Sequence, residues 1–295
     1  MGLATPLGSR RRCALERWLR GREEVAKLRR ADAVVVSYGK AGRTWLRVML
    51  SSYYQRRYGL PAQSLLDFDN FHRRDARIPR IFFTHDNYIQ DYTGHRGSKC
   101  DFYDRKVVLL TRSPQDTAVS QYFQWKHRMR PGKKRLNDYP AHGADVPLFD
   151  FVMRPSSGLP KIVEFMNLWA AESPRLRSFL LVRYEDMRRD PAGELRRVTG
   201  FLGDTASEEA IGAAVAFASV ENMRAMEQRR MFWFSGDRMT PRDASNPDSF
   251  KVRRAKVGGY RDYFDDEQVV QIDELVRSKL SPCFGYGSFQ ESLPS

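Results

Sequence analysis

No stretch of this chain approaches the ~20 apolar residues that a membrane-spanning helix needs. The opening residues, MGLATPLGSRRR, hold no apolar core of a secretory signal. Only three cysteines occur, Cys13, Cys100 and Cys283, odd in number and far apart. They form neither a disulfide framework nor a zinc-ligand pattern, which points to a reducing, cytoplasmic compartment. The five histidines are scattered without an HxxxH pair, so no metal site is expected. Internal repeats are absent too.

Positive charge is what the chain has in excess: 50 lysines and arginines against 36 acids, a net +14. That balance implies an anionic partner: a phosphorylated cofactor, a membrane surface or a nucleic acid. With 295 residues, 41% of them hydrophobic, the chain can bury a real core. Residues 10–30 carry nine basic and three acidic side chains, with Leu15, Trp18, Leu19, Val25 and Leu28 roughly on one helical face. This reads as a basic helix that either packs on the domain or touches anionic lipid, at the inner membrane surface. The expected organisation is an N-terminal helical segment, 1–30, and one domain, 31–295.

Short apolar runs at 34–37, 81–84, 106–111 and 179–184 read as buried strands. Being apolar throughout, they suit parallel strands covered on both faces. Helical patterns fall between and after them, at 44–57, 114–128, 160–173, 191–202, 207–219 and 265–280. The alternation predicts an α/β fold with a parallel central sheet flanked by helices. Two stretches, 129–147 and 235–256, read as long loops, of a length that is usually functional or mobile.

The stretch SYGKAGRTW (37–45) follows the strand AVVV. A strand, a loop with Gly39 and Gly42, and a helix from Thr44 make an anion cradle to which Lys40 adds a point charge. The magnesium-nucleotide pattern GxxxxGK[ST] is not met, because lysine precedes the second glycine and the metal-binding hydroxyl beside it is missing. Taken alone, the stretch is equally a turn with a solvated lysine. Downstream, TRSPQDTAVSQYF (111–123) sets Arg112 at a strand's C-terminal end and Ser120 two turns into a helix. In FKVRRAKVGGYRDYF (250–264), Arg253 and Arg254 can fork a second phosphate.

Together SYGKAGRTW, THD, TRSPQDTAVSQYF, RYEDMRRDP and RRAKVGGY, in that order, resemble the signature set of sulfotransferases that use 3′-phosphoadenosine 5′-phosphosulfate (PAPS). The likeness runs from about residue 33 to 265. It implies a P-loop-like α/β fold, related to that of P-loop NTPases but without a metal. It implies that Lys40, Ala41, Gly42, Arg43 and Thr44 surround the 5′-phosphosulfate, that Trp45 stacks on adenine and that Tyr184 lies close to the base. Arg112 and Ser120 would bind the 3′-phosphate, joined by Arg253, Arg254 and the Ala255 backbone. His85 falls at the catalytic-base position, with Lys40 as the second catalytic residue. Several positions depart from the family pattern. Arg43 stands where many members have threonine, Phe83 where many have lysine, Ala255 where glycine is usual and Tyr260 where tryptophan is usual. Phe83 removes a transition-state cation, for which Arg43 is the candidate substitute.

These residue types suit sulfuryl transfer. The transferred group carries one negative charge, so a metal is less needed than in phosphoryl transfer. A lysine and helix-end N–H groups can stabilise the leaving 5′-phosphate, and a histidine can take the acceptor's proton. The acceptor is less legible. Six basic residues in 126–142 favour a hydroxyl on a glycan or glycolipid. Against this, Phe82, Phe83, Trp233 and Phe234 offer material for an apolar phenol pocket, which leaves small phenols or alcohols as the alternative. A basic nucleic-acid-binding module is the competing reading from another class, but no nucleic-acid motif appears and the aromatics do not alternate with basic residues. No nucleic-acid partner is therefore expected.

Overall fold

The computed structural model describes residues 8–229, 231–232, 243 and 245–286. Trp233, Phe234 and most of 235–244 lie outside the described residues. Four strands, β1 (Ala33–Ser37), β2 (Ile81–Thr84), β3 (Lys106–Thr111) and β4 (Ser178–Arg183), form one parallel sheet in the order β2-β1-β3-β4. The helices, in chain order, are α1 (Ser9–Arg30), α2 (Arg43–Tyr58), α3 (Ile89–Thr93), α4 (Pro114–Phe123), α5 (Pro131–Leu136) and α6 (Leu148–Met153). They continue with α7 (Leu159–Glu172), α8 (Tyr184–Arg189), α9 (Pro191–Leu202), α10 (Glu208–Phe217), α11 (Val220–Gln228) and α12 (Asp266–Lys279).

Alternation along each strand divides the core in two. Ala33, Val35, Ile81, Val108, Leu110 and Val182 pack against α2, α9, α10 and α11. Val34, Val36, Phe82, Val107 and Leu109 pack against α1, α4, α7 and α12. Both faces are thus covered, which is why the strands read as unbroken apolar runs. The sheet reverses direction of growth at β1: the chain steps from β1 to β2 on one side, then crosses to β3 on the other. The C-terminal ends of β1 and β3 therefore flank a switch-point crevice.

Helices α3, α6, α8 and α11 form where the sequence pattern predicts none, and two further stretches change character. The expected loop 129–147 contains α5, started by Pro131 and tied back by Lys134 N–H to the Arg130 carbonyl. The helix expected over 114–128 is α-helical only to Phe123 and finishes as a π-helical turn, Gln124–Arg128, closed by Met129 N–H on the Gln124 carbonyl at 2.8 Å. Such a turn holds one residue more than an α-helix of the same length.

Helix α1 lies against α3 and the end of β2. Gly21 lets it approach, since a Cβ there would run into the Tyr88 carbonyl. Val25 and Leu28 are buried, and Arg17 reaches Asp91 at 2.9 Å and the Leu136 carbonyl at 2.8 Å. Leu15, Trp18 and Leu19 are left 47%, 40% and 49% exposed. The apolar stripe expected along this helix is therefore split, its C-terminal part buried and its N-terminal part facing outward.

Glu24 of α1 is withdrawn beneath Thr84, whose hydroxyl bonds it at 3.3 Å. Burial first, and the nearby Asp86 carboxylate second, push the Glu24 carboxyl up to about 7, against the Thr84 hydrogen bond and the Arg43 and Lys27 cations. A raised acid binds its proton more tightly when folded, so its ionisation costs stability as pH rises from 4.5 to about 7. Glu24→Gln keeps the hydrogen bond without the charge. In urea unfolding it should match the wild type at pH 4 and exceed it by ~1–3 kcal/mol at pH 8. A difference independent of pH would exclude this account.

Candidate active site

Strand β1 enters α2 through a five-residue turn that uses two left-handed residues, Lys40 at φ 73° and Gly42 at φ 98°. At Gly42 a Cβ would stand 2.7 Å from Cδ2 of Tyr184, so the ring from α8 can lie on the turn only because glycine is there. Lys40 accepts a conformation that costs an ordinary residue ~1–2 kcal/mol, and Ala41 is buried behind the turn at 2% exposure.

A cavity of about 430 Å³ opens at this point. Of the residues singled out in the sequence, Lys40, Gly42, Arg43, Thr44, Trp45, His85, Arg112, Ser120, Tyr184, Arg253, Arg254 and Ala255 line it; Ala41 does not. Eleven lysines and arginines face the cavity against one carboxylate, Asp116. Lys40 feels the result. Its ammonium is lowered to about 7, chiefly by withdrawal from water and then by Arg128, Arg112 and Arg253, with Glu227 opposing. A cavity so short of negative charge is built to receive an anion.

His85 follows β2. Its Nδ1 lies 2.7 Å from the Ser37 carbonyl, which can only accept, so Nδ1 carries the proton and donates. Nε2 is then the acceptor, and the Arg43 Nη2 donates to it at 2.7 Å. Burial, followed by the Arg43 and Lys133 cations, holds the imidazole well below its usual range and therefore neutral. The residue after it is strained: Asp86 has φ 53°. Its side chain is fixed by a buried ion pair with Lys99 at 2.6 Å, and its N–H donates to Thr84 Oγ1 at 2.8 Å. His85 thus projects from a backbone held on both sides.

Across the cavity, Trp45 donates Nε1–H to the Ala218 carbonyl at 2.8 Å and meets Tyr184 edge-on at 5.8 Å. The Arg112 guanidinium lies 4.5 Å from the Tyr184 ring centre and donates to the Lys256 carbonyl at 3.1 Å. Arg253 is stacked 3.6 Å over Phe123 and donates to Tyr263 Oη at 2.7 Å. Arg254 is half exposed and paired with Asp262 at 2.9 Å. Ala255 has φ 54°, a conformation that glycine adopts freely and alanine does not.

Two buried carboxylates that were not singled out in the sequence hold this wall in place. Asp116 accepts the N–H groups of Gly258 at 2.9 Å and Tyr260 at 3.0 Å, with Arg112 at 3.4 Å. Glu227, fully buried, accepts the N–H groups of Lys251 at 2.7 Å and Val252 at 3.2 Å and pairs with Arg128 at 3.1 Å. In sequence Asp116 falls within TRSPQDTAVSQYF but reads there as an acid in the first turn of a helix, and Glu227 has no signal at all. Lys251, Asn87, Tyr139 and Lys161 also line the cavity and were not singled out.

The sequence matches the profile of a family described as "Sulfotransferase domain" over residues 30–284. A flavonol 3-sulfotransferase of Flaveria bidentis is 25% identical over 289 residues, covering 90% of this chain and 88% of that protein. Cytosolic sulfotransferase 16 of Arabidopsis thaliana is 27% identical, covering 91% and 81%. Among solved structures, a mouse sulfotransferase complexed with PAP superposes with a TM-score of 0.54 at 20% identity, over 85% of this chain and 84% of that one.

The cavity wall generates paired expectations of opposite sign. Asp116→Ala strands one buried and one partly buried N–H group and should cost ~2–4 kcal/mol. Ala255→Gly relieves a left-handed alanine and should stabilise by up to ~1 kcal/mol. Urea unfolding of both variants measures them, and a destabilised Ala255→Gly would contradict the geometry.

Proposed function

The chain belongs to the sulfotransferase family, and on that footing we propose that it transfers the sulfuryl group of PAPS to an acceptor hydroxyl, releasing 3′-phosphoadenosine 5′-phosphate (PAP). The observation that carries this is the pairing, in one cation-rich cavity, of Lys40 with a histidine whose Nδ1–H is committed to the Ser37 carbonyl. The acceptor oxygen forms its bond to sulfur as the bond from sulfur to the 5′-phosphate oxygen breaks. The electron pair stays on the phosphate, where Lys40 and the start of α2 stabilise it. The acceptor proton passes to His85 Nε2, the one ring nitrogen able to take it. Arg112, Ser120, Arg253, Arg254 and the Ala255 backbone would hold the 3′-phosphate, Trp45 and Tyr184 the adenine.

PAP is expected to raise the melting temperature in the presence of EDTA, while Mg-ATP does so poorly. Arg112→Ala should erase most of that preference. His85→Ala should bind PAP and lose ~10²–10⁴-fold in turnover. Equal stabilisation by ATP and PAP, or an active His85→Ala enzyme, would overturn these assignments.

For the acceptor we favour a polar, sugar-bearing molecule, a glycan or glycolipid, over a small phenol. Lining residues outside the donor set are mostly polar or basic: Asn87, Gln124, Lys133, Asn137, Tyr139 and Lys161. Phe82 is packed in the core, and Phe83, not among the lining residues, lies under the Arg47 guanidinium at 4.0 Å. The exposed Leu15, Trp18 and Leu19 beside Arg10, Arg11 and Arg12 support contact with an anionic membrane surface in the cytoplasm. No helix among the described residues is long and apolar enough to cross a membrane. Soluble oligosaccharides, glycolipid in anionic vesicles and simple phenols, each offered with labelled PAPS, separate these readings. Lys133→Gln should raise the KM for sugars about tenfold, one charged hydrogen bond's worth. Trp18→Ser with Leu19→Ser should slow transfer to vesicles alone. Preferred sulfation of phenols, indifferent to Lys133→Gln, would reverse the choice.

A further inference from the structure

Arg43 does two incompatible things at once. It is the first residue of α2, directly after the turn that carries Lys40 and Gly42, where the sulfonate of the donor would lie. It also fills the one lone pair through which His85 can take a proton, at 2.7 Å. With Nδ1–H given to the Ser37 carbonyl, His85 has no second nitrogen to offer. While this hydrogen bond stands, the base cannot act.

We propose that Arg43 is a donor-operated latch on His85: the sulfonate of the bound donor draws the guanidinium off Nε2, and only then is the base open to the acceptor hydroxyl. The inference rests on the PAPS reading above. A sulfonate offers the guanidinium an opposite full charge and several acceptor oxygens, against the single neutral lone pair of the imidazole, so it outcompetes His85 for Arg43. The surroundings favour release. Lys133 lies close enough to Arg43 and His85 to weigh on the charge of both groups, and Lys251 on that of His85. Across from them Glu24 is the nearby acid. Strain does not oppose it either, because His85 is fixed through Ser37 and the Asp86–Lys99 pair and stays in place when Arg43 leaves. Once turned, the same guanidinium lies on the transferring group and restores the cation lost at Phe83. PAP lacks the sulfonate, so the latch closes again once His85 has passed the acceptor's proton on to solvent. The order of events follows: no acceptor is deprotonated before a donor is bound.

The test uses the full chain labelled with ¹⁵N-histidine, its five imidazoles assigned by single His→Gln variants. The ¹⁵N resonance of His85 Nε2 is recorded for the protein alone, with PAP, and with a PAPS analogue whose bridging oxygen between phosphorus and sulfur is a methylene. Nε2 should keep its hydrogen-bonded position alone and with PAP, and move downfield to that of a bare lone pair with the analogue. In Arg43→Met it should stand at the bare position in all three states, with PAP still raising the melting temperature. Thermal shifts in the same samples report binding separately. If PAP and the analogue bind but Nε2 does not move between them, the latch is wrong and the donor assignment survives. If neither ligand binds, the donor assignment fails and takes the latch with it. An Arg43→Met protein whose Nε2 remains hydrogen-bonded would also overturn the proposal.

Discussion

Everything at this site follows from holding many like charges in a small volume withdrawn from water. At low effective dielectric, cations a few ångströms apart repel by several kcal/mol each. A chain left to itself would splay them into solvent. Here the repulsion is contained partly by counter-charges, Asp262 on Arg254, Asp248 on Arg253 and Asp116 on Arg112, and partly through the backbone. Asp116 and Glu227 also accept the N–H groups of 251–252, 258 and 260, fixing the wall from which Lys251, Arg253 and Arg254 project. The unbalanced field then sets the chemistry: Lys40 sits near its neutral point and His85 is kept uncharged, both ready to respond to an arriving anion.

The fold was legible because its signals are local. An apolar run of four, two glycines and a helix start fall within some 20 residues at β1–α2, and an apolar run followed by a serine cap and a proline marks β3–α4 in the same local way. The four strand ranges read from sequence lie within a residue of those observed at each end. The site was legible where short motifs carry it, and twelve of the thirteen residues named in advance face the cavity, Ala41 being the exception. What could not be read is long-range. Glu227 meets Lys251 across 24 positions and Asp116 meets Gly258 across 142. No periodicity or propensity encodes such a pairing, since it depends on how two loops arrive at one place. The helix inside 129–147 was obscured for a different reason: its basic, glycine- and proline-containing stretch reads as loop, and it is the tertiary contact of α5 with α1 that makes it worth forming.

Three of the four departures from the family pattern, Arg43, Ala255 and Tyr260, line the cavity. Phe83 does not, and its ring is covered by Arg47. Arg43 sets a cation beside His85. Ala255 keeps a backbone shape that glycine would hold more cheaply.

The length of the π-helical turn after α4 decides where Arg128 points. The turn holds one residue more than an α-helix of the same length, and in a helix one residue corresponds to a rotation of about 100°. Arg128, at its end, meets Glu227 and the Ser249 carbonyl. Shortening the turn by one residue would swing Arg128 away by about that angle and leave Glu227 as a buried acid without its cation. The turn and the acid on α11 are therefore two halves of one anchor for the wall 251–252.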